Sequence, residues 1–335
     1  MIPFEFYWDR LNIWAGIKFL IVVFFLVIIA KWIEFPWFVV GMSVVLAWLV
    51  VLLGNPKNKI LMVFLYLLVG LGFTLISNYF SDTYWPWLIF MFFVTFISTY
   101  LLKYGMHWYM LGWCLILWFL NMPVLLHAAN TQELVISHLI GSSAVLLLVF
   151  LSGIWKRFVK KVPDEVLEET QKAEPMAEWW ILTYSTIVGL VVVIGLMLGH
   201  KYTSDPTMIP TAAFMIIVFT GTAIIWKAGI ERLIGAILAI VIGFYLGAAV
   251  QSEVLGMVIM IISAFTLFAM IVVNNGAVIF FFVLILSYGW GLKDFDTGNA
   301  LANERILAEF AGVFLAAIAI TSMNLISKYM KPSEV

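Results

Sequence analysis

Arg305 and Glu309 stand four residues apart in "ERILAEFAGVF" (304–314), at the head of a long apolar run. Residues four apart share one face of a helix, so the two side chains can form an ion pair. A charge at the centre of a bilayer costs at least about 2.5–3.5 kcal/mol on insertion scales. Pairing lowers that cost, and so does taking up a proton. Ionisable groups at such a depth read as part of a proton or substrate pathway. The plain alternative makes Glu304 and Arg305 loop residues and lets Glu309 snorkel to the surface.

Shifting this stretch back by 171 residues lays it on "ELVISHLIG" (133–141). Glu304 then overlays Glu133, Glu309 overlays His138, and Gly312 overlays Gly141. Glu309 and His138 both titrate, and both are expected a turn or two inside the outer interface. Lys59 and Arg232 form a second pair, 173 residues apart, each opening a span from the cytosolic side. Their expected role is to attract anions entering from the cytosol, against simple anchoring by the positive-inside rule. Lys18 reads as a snorkelling residue.

These residues need a membrane framework, and the composition supplies it. Hydrophobic residues make up 64% of the 335 and charged residues 11%, against about 25% charged in soluble domains. A net charge of −1 argues against nucleic acid as a partner. The single cysteine, Cys114, cannot form an intrachain disulfide. Twelve apolar runs of spanning length are expected: 13–33, 36–53, 60–77, 85–102, 107–127 and 134–154, then 179–199, 208–226, 233–250, 254–272, 276–292 and 306–326. The first reads as a retained span, not a cleaved signal. The runs are continuous, which argues against a β-barrel.

Basic residues set the orientation. With the N-terminus inside, the inner segments hold Arg10, Lys57, Lys59, Lys103, Lys156, Arg157, Lys160, Lys161, Lys172, Lys227, Arg232, Lys328 and Lys331. The outer ones hold only Lys31, Lys201, Lys293 and Arg305. Both termini are therefore expected in the cytosol, and "YWPW" (84–87) reads as an outer aromatic belt.

The glycines carry the repeat. Gly70 pairs with Gly243 at an offset of 173, and Gly141 with Gly312 at 171. Together with Gly235 they also suit close helix packing. The expected fold is an all-α integral membrane protein of about twelve transmembrane helices in two parallel six-helix repeats. The first module is 1–155, a cytosolic linker is 156–178, and the second module is 179–335. Such repeats are a transporter arrangement with the substrate site between them. No GxxxxGK[ST], HExxH, CxxC or GxGD stretch occurs, so neither a P-loop nor a metal site is expected. No cofactor and no enzymatic activity are expected.

Three stretches resemble one family. "IERLIGAILAIVIGFYLG" (230–247), "ANERILAEFAGVFLAAIAI" (302–320) and, in pattern, "LLKYGMHWYMLGWCLILWF" (101–119) are similar to segments of the fusaric-acid-resistance and aromatic acid exporter superfamily. The chain resembles a short member without the large cytosolic domain. The resemblance implies a bacterial inner-membrane transporter that exports small aromatic or other hydrophobic organic anions, driven by the proton gradient. It implies a periplasmic membrane-fusion adaptor as partner, and a homo-oligomer is compatible with it. By motif it points to Arg232, Gly235, Arg305, Glu309 and Gly312. The alternatives are a passive organic-anion channel and a non-transporting scaffold for the adaptor.

Overall fold

The computed structural model describes residues 13, 16–17, 20–21, 37–54, 58–80, 84–122, 130, 131–158, 178–220, 225–270, 275–291 and 295–330. Lys18, most of the expected first span 13–33, and residues 159–177 of the expected linker lie outside them. Among the described residues the regular structure is helical. The helices are α1 (Trp37–Gly54), α2 (Lys59–Phe80), α3 (Tyr84–Tyr100), α4 (Met106–Leu120), α5 (Thr131–Phe158), α6 (Glu178–Tyr202), α7 (Met208–Thr220), α8 (Ile225–Val250), α9 (Glu253–Met270), α10 (Asn275–Gly291) and α11 (Phe295–Met330). Six contain stretches long and apolar enough to cross a membrane: Lys59–Ser77, Tyr84–Tyr104, Thr131–Ser152, Glu178–Tyr202, Gly229–Val250 and Asp296–Ile326. The protein is thus a multi-pass helical membrane protein.

Local chemistry places several helix ends. Asn130 and Glu133 form a reciprocal capping box at the start of α5: Glu133 Oε2 accepts from the Asn130 amide at 3.0 Å, and Asn130 Oδ1 accepts from the Glu133 amide at 2.9 Å. Asn58 Oδ1 accepts the Leu61 amide at the head of α2. Between the 3₁₀ turn Leu101–Tyr104 and α4, Gly105 has φ 112°, a conformation that a side chain disfavours.

The chain divides into two compact units, Ile21–Leu190 and Met1–Leu20 with Val191–Val335, the boundary falling inside α6. In the unit 21–190, α1 packs on α2, α4 and α5, α2 packs on α4 and α5, and α3 packs on α4. Its aromatic heart is Phe119, whose ring centroid lies 4.7–5.1 Å from those of Trp87, Phe90 and Phe73. Outward positions on α2, such as Phe64 and Leu68, stay apolar and exposed, as lipid contact requires.

In the other unit, α8 lies against α10, and α11 lies against α7 and α8. Small residues permit the approach of α8 and α10. Gly243 and Gly247 face Ser287, Tyr288 and Gly291, and Ser287 donates to the Ala239 carbonyl at 2.8 Å. Ala308 packs with Met208 and Ile209, and Gly312 sits on Ala212 and Ala213, so α7 and α11 run parallel. Gly229 meets Val313 while Arg232 meets Glu309, so α8 runs antiparallel to α11.

Two helices depart from the expected spans. α8 starts at Ile225 instead of 233, and α11 at Phe295 instead of 306. Hydropathy finds where the chain turns apolar, whereas a helix starts where its backbone hydrogen bonding starts. "FDTGNALANE" is polar, yet its Ala, Leu and Glu favour helix, and Asp296 in the first turn suits the dipole.

Candidate functional site

The extension of α11 decides the status of Glu304, Arg305 and Glu309. None lies in a loop: Arg305 begins the fourth turn of the helix. Its Nη2 donates to Glu309 Oε1 at 2.7 Å, the pair that the four-residue spacing predicts. The extension of α8 does the same for Arg232. Instead of opening its span, Arg232 sits two turns inside α8, 6% exposed. Its Nε donates to Glu309 Oε2 at 2.9 Å and its Nη2 to Oε1 at 3.3 Å. Glu309 therefore accepts from both guanidiniums. It is 0% exposed, and Arg305 is 5% exposed, so the charges are held out of water.

The formal balance of this triad is two cations against one anion. Arginine remains charged in proteins, and a lone buried ion is costly, so the cluster has to be held together by its hydrogen bonds. One donor is left over: Arg305 Nε is buried and has no hydrogen-bond partner among the described residues. Glu231, which precedes Arg232, is also buried and has interactions of its own. It projects about 100° round α8 from Arg232.

His138 belongs to the other compact unit. It is 0% exposed on α5. Nδ1 lies 3.2 Å from Ser43 Oγ, which also donates to the His138 carbonyl at 3.3 Å and lies 3.3 Å from Ser142 Oγ. The imidazole stands between aromatic rings, its centroid 4.6 Å from that of Trp118 and 5.1 Å from that of Tyr66. Trp118 Nε1 donates to Thr74 Oγ1 at 3.0 Å, and Thr74 donates to the Gly70 carbonyl at 2.8 Å. A Cβ on Gly70 would run into the imidazole. His138 Nε2 and the Tyr66 hydroxyl lack hydrogen-bond partners among the described residues.

Of the expected pathway residues, the fold joins Arg232, Arg305 and Glu309. Lys59 belongs to the other compact unit, where it is half-buried at the first residue of α2. Along α2 it is eleven residues from Gly70, about 16 Å of helical rise. Glu304 accepts from the Ser204 amide at 2.8 Å and ties α11 to the turn before α7. Glu133 is a helix cap. Of the expected packing glycines, Gly141 meets the Val40 carbonyl and Ser43, Gly312 meets the Ile209 carbonyl and Ala212, Gly243 meets Ser287, and Gly235 is buried. A search for charged groups misses Ser43, Tyr66, Thr74 and Trp118, because hydroxyls and aromatics are ordinary in apolar helices. Among the described residues no group of three or more His, Cys, Asp or Glu comes together that could hold a metal ion.

Residues 188–319 match the family model described as "Fusaric acid resistance protein-like". The matched stretch runs from within α6 into α11 and contains all three residues of the triad. No curated protein and no solved structure matches the chain. Over residues 188–319, then, this membrane protein is similar to the fusaric acid resistance protein-like family.

Proposed function

We propose that the protein transports small organic anions, aromatic or otherwise hydrophobic, outward across the bacterial inner membrane, with both termini in the cytosol. The observation that carries this reading is the Arg232–Glu309–Arg305 triad, two guanidiniums on one carboxylate, fully buried in an apolar module. Guanidinium forks recognise carboxylates with two parallel hydrogen bonds. In this reading the triad holds the substrate's carboxylate, and Lys59 adds attraction at a helix end.

The reading extends to the architecture of two parallel repeats. Three residues after His138, Gly141 packs on the Val40 carbonyl and Ser43; three residues after Glu309, Gly312 packs on the Ile209 carbonyl and Ala212. The pairings α1 with α5 and α2 with α4 have their counterparts in α7 with α11 and α8 with α10. These likenesses support the 171-residue offset. His138 and Glu309 are then one position with two chemistries.

That difference bears on proton coupling. A proton on Glu309 would leave two guanidiniums beside a neutral acid and strengthen their hold on an anion. Proton and anion would then bind in the same sense at the triad. Exchange of one for the other needs a second titrating group, and we assign it to His138, whose side-chain type titrates nearest neutral pH.

The test is flux of labelled 4-hydroxybenzoate in proteoliposomes, with and without an imposed pH gradient. Wild type should show gradient-driven flux, Arg232→Gln should lose it, and His138→Gln should retain flux while losing its dependence on the gradient. Flux indifferent to the gradient in wild type would make the protein a passive channel. Unchanged flux in a folded Arg232→Gln would reduce the triad to a structural cross-link. No flux, with an adaptor protein captured by the wild type, would favour the scaffold reading.

A further inference from the structure

Glu309 is itself a carboxylate, and it occupies the guanidiniums that a substrate carboxylate would use. We infer that it sets the valence of the ligand: the triad selects monovalent organic acids over divalent ones. The inference rests on the transport reading and deepens it.

Three observations carry the argument. First, the triad's formal charge is one positive unit, because Glu309 cancels one of its two guanidiniums. A single carboxylate brings the site to neutrality. A second carboxylate on the same ligand overshoots to a net negative charge, and uncompensated charge in a dry interior is costly. Glu231 lies on another face of α8 and keeps its own interactions.

Second, the site has a donor to spare. Arg305 Nε is buried without an acceptor among the described residues, although a guanidinium presents five N–H groups in a planar fork. An unpaired buried donor is unfavourable, and an incoming carboxylate oxygen would satisfy it. Third, small apolar residues stand near the triad along α8 and α11. Ala236 and Ala302 cluster on α8 and α11, and Ala308 packs with Met208 and Ile209. These residues suit the body of a hydrophobic acid and offer a second carboxylate no counter-ion of their own.

The experiment measures labelled benzoate flux in proteoliposomes with unlabelled benzoate or phthalate as competitor. Wild type and Glu309→Gln are run together, with melting temperature as the folding control. In wild type, phthalate should compete at least about tenfold more weakly than benzoate. In Glu309→Gln the site carries two positive units, so that ratio should fall to unity or invert, and benzoate should be held more tightly. Should Glu309→Gln unfold, Arg305→Gln gives the opposite change: the triad becomes neutral, and benzoate should lose its advantage over neutral benzamide. Equal competition by phthalate in wild type overturns the inference and leaves transport standing. So does an unchanged ratio in a folded Glu309→Gln. Absence of benzoate flux in wild type overturns the transport reading, and this inference falls with it.

Discussion

Replacing Glu309 with methionine should cost more stability than replacing Arg232 with methionine, although both changes remove a member of the same buried cluster. Glu309 accepts at 2.7 Å from Arg305 and at 2.9 and 3.3 Å from Arg232. Without it, two guanidiniums face each other's charge in an apolar interior. Breaking a buried pair by removing one partner costs about 3–5 kcal/mol, and here two partners are orphaned. Without Arg232, Glu309 keeps Arg305, and the remaining pair is neutral. The loss is then that of charge-assisted hydrogen bonds, about 1.5–3 kcal/mol. The double variant should be more stable than Glu309→Met alone, because it removes one of the two repelling cations. Equilibrium unfolding in mixed micelles of dodecyl maltoside and sodium dodecyl sulfate reads all three. If Arg232→Met proves as costly as Glu309→Met, or if the double variant is simply additive, Glu309 is not the hub of the cluster and the charge count fails.

Other substitutions test the packing and the ends of helices. Gly141→Ala and Gly312→Ala each push a methyl onto a neighbouring backbone carbonyl, at 2.9 Å from Val40 O and 3.1 Å from Ile209 O. Each should lower stability by about 1–3 kcal/mol, read as a lower melting temperature. Gly70→Ala would displace the His138 imidazole. It should abolish gradient dependence of flux while leaving the benzoate-to-phthalate ratio unchanged. Glu133→Ala removes half of the α5 capping box. It should cost on the order of 1 kcal/mol and leave flux unaltered, so a loss of flux in that variant would give Glu133 a role beyond its cap.

What could be read from the amino acids alone followed from local rules. An apolar content of 64% requires a lipid environment for a chain of this length. The four-residue spacing of Arg305 and Glu309 makes a pair on any α-helix, and in the structure they lie 2.7 Å apart. Capping at Glu133 is equally local, an asparagine standing three residues before a glutamate. Helix ends were harder. An apolar window stops where polar residues begin, while α8 and α11 carry their hydrogen bonding two to three turns further. The apolar window therefore leaves Arg305 just outside its span and Arg232 at a mouth.

Tertiary structure alone decided the company each group keeps. Arg232 and Glu309 are 77 residues apart, and only the antiparallel packing of α8 on α11 brings them within hydrogen-bonding distance. The same holds for His138, whose partner Ser43 is 95 residues away on α1. Charge and hydropathy patterns are properties of single residues and their near neighbours. Whether a buried carboxylate meets two cations or a histidine meets hydroxyls and rings depends on which helix faces close against each other. The pattern of small residues, Gly70, Gly141, Gly243 and Gly312, marks where close approach is allowed. It does not say which partner approaches, because every apolar helix presents similar surfaces and the choice is made by the packing of the whole unit.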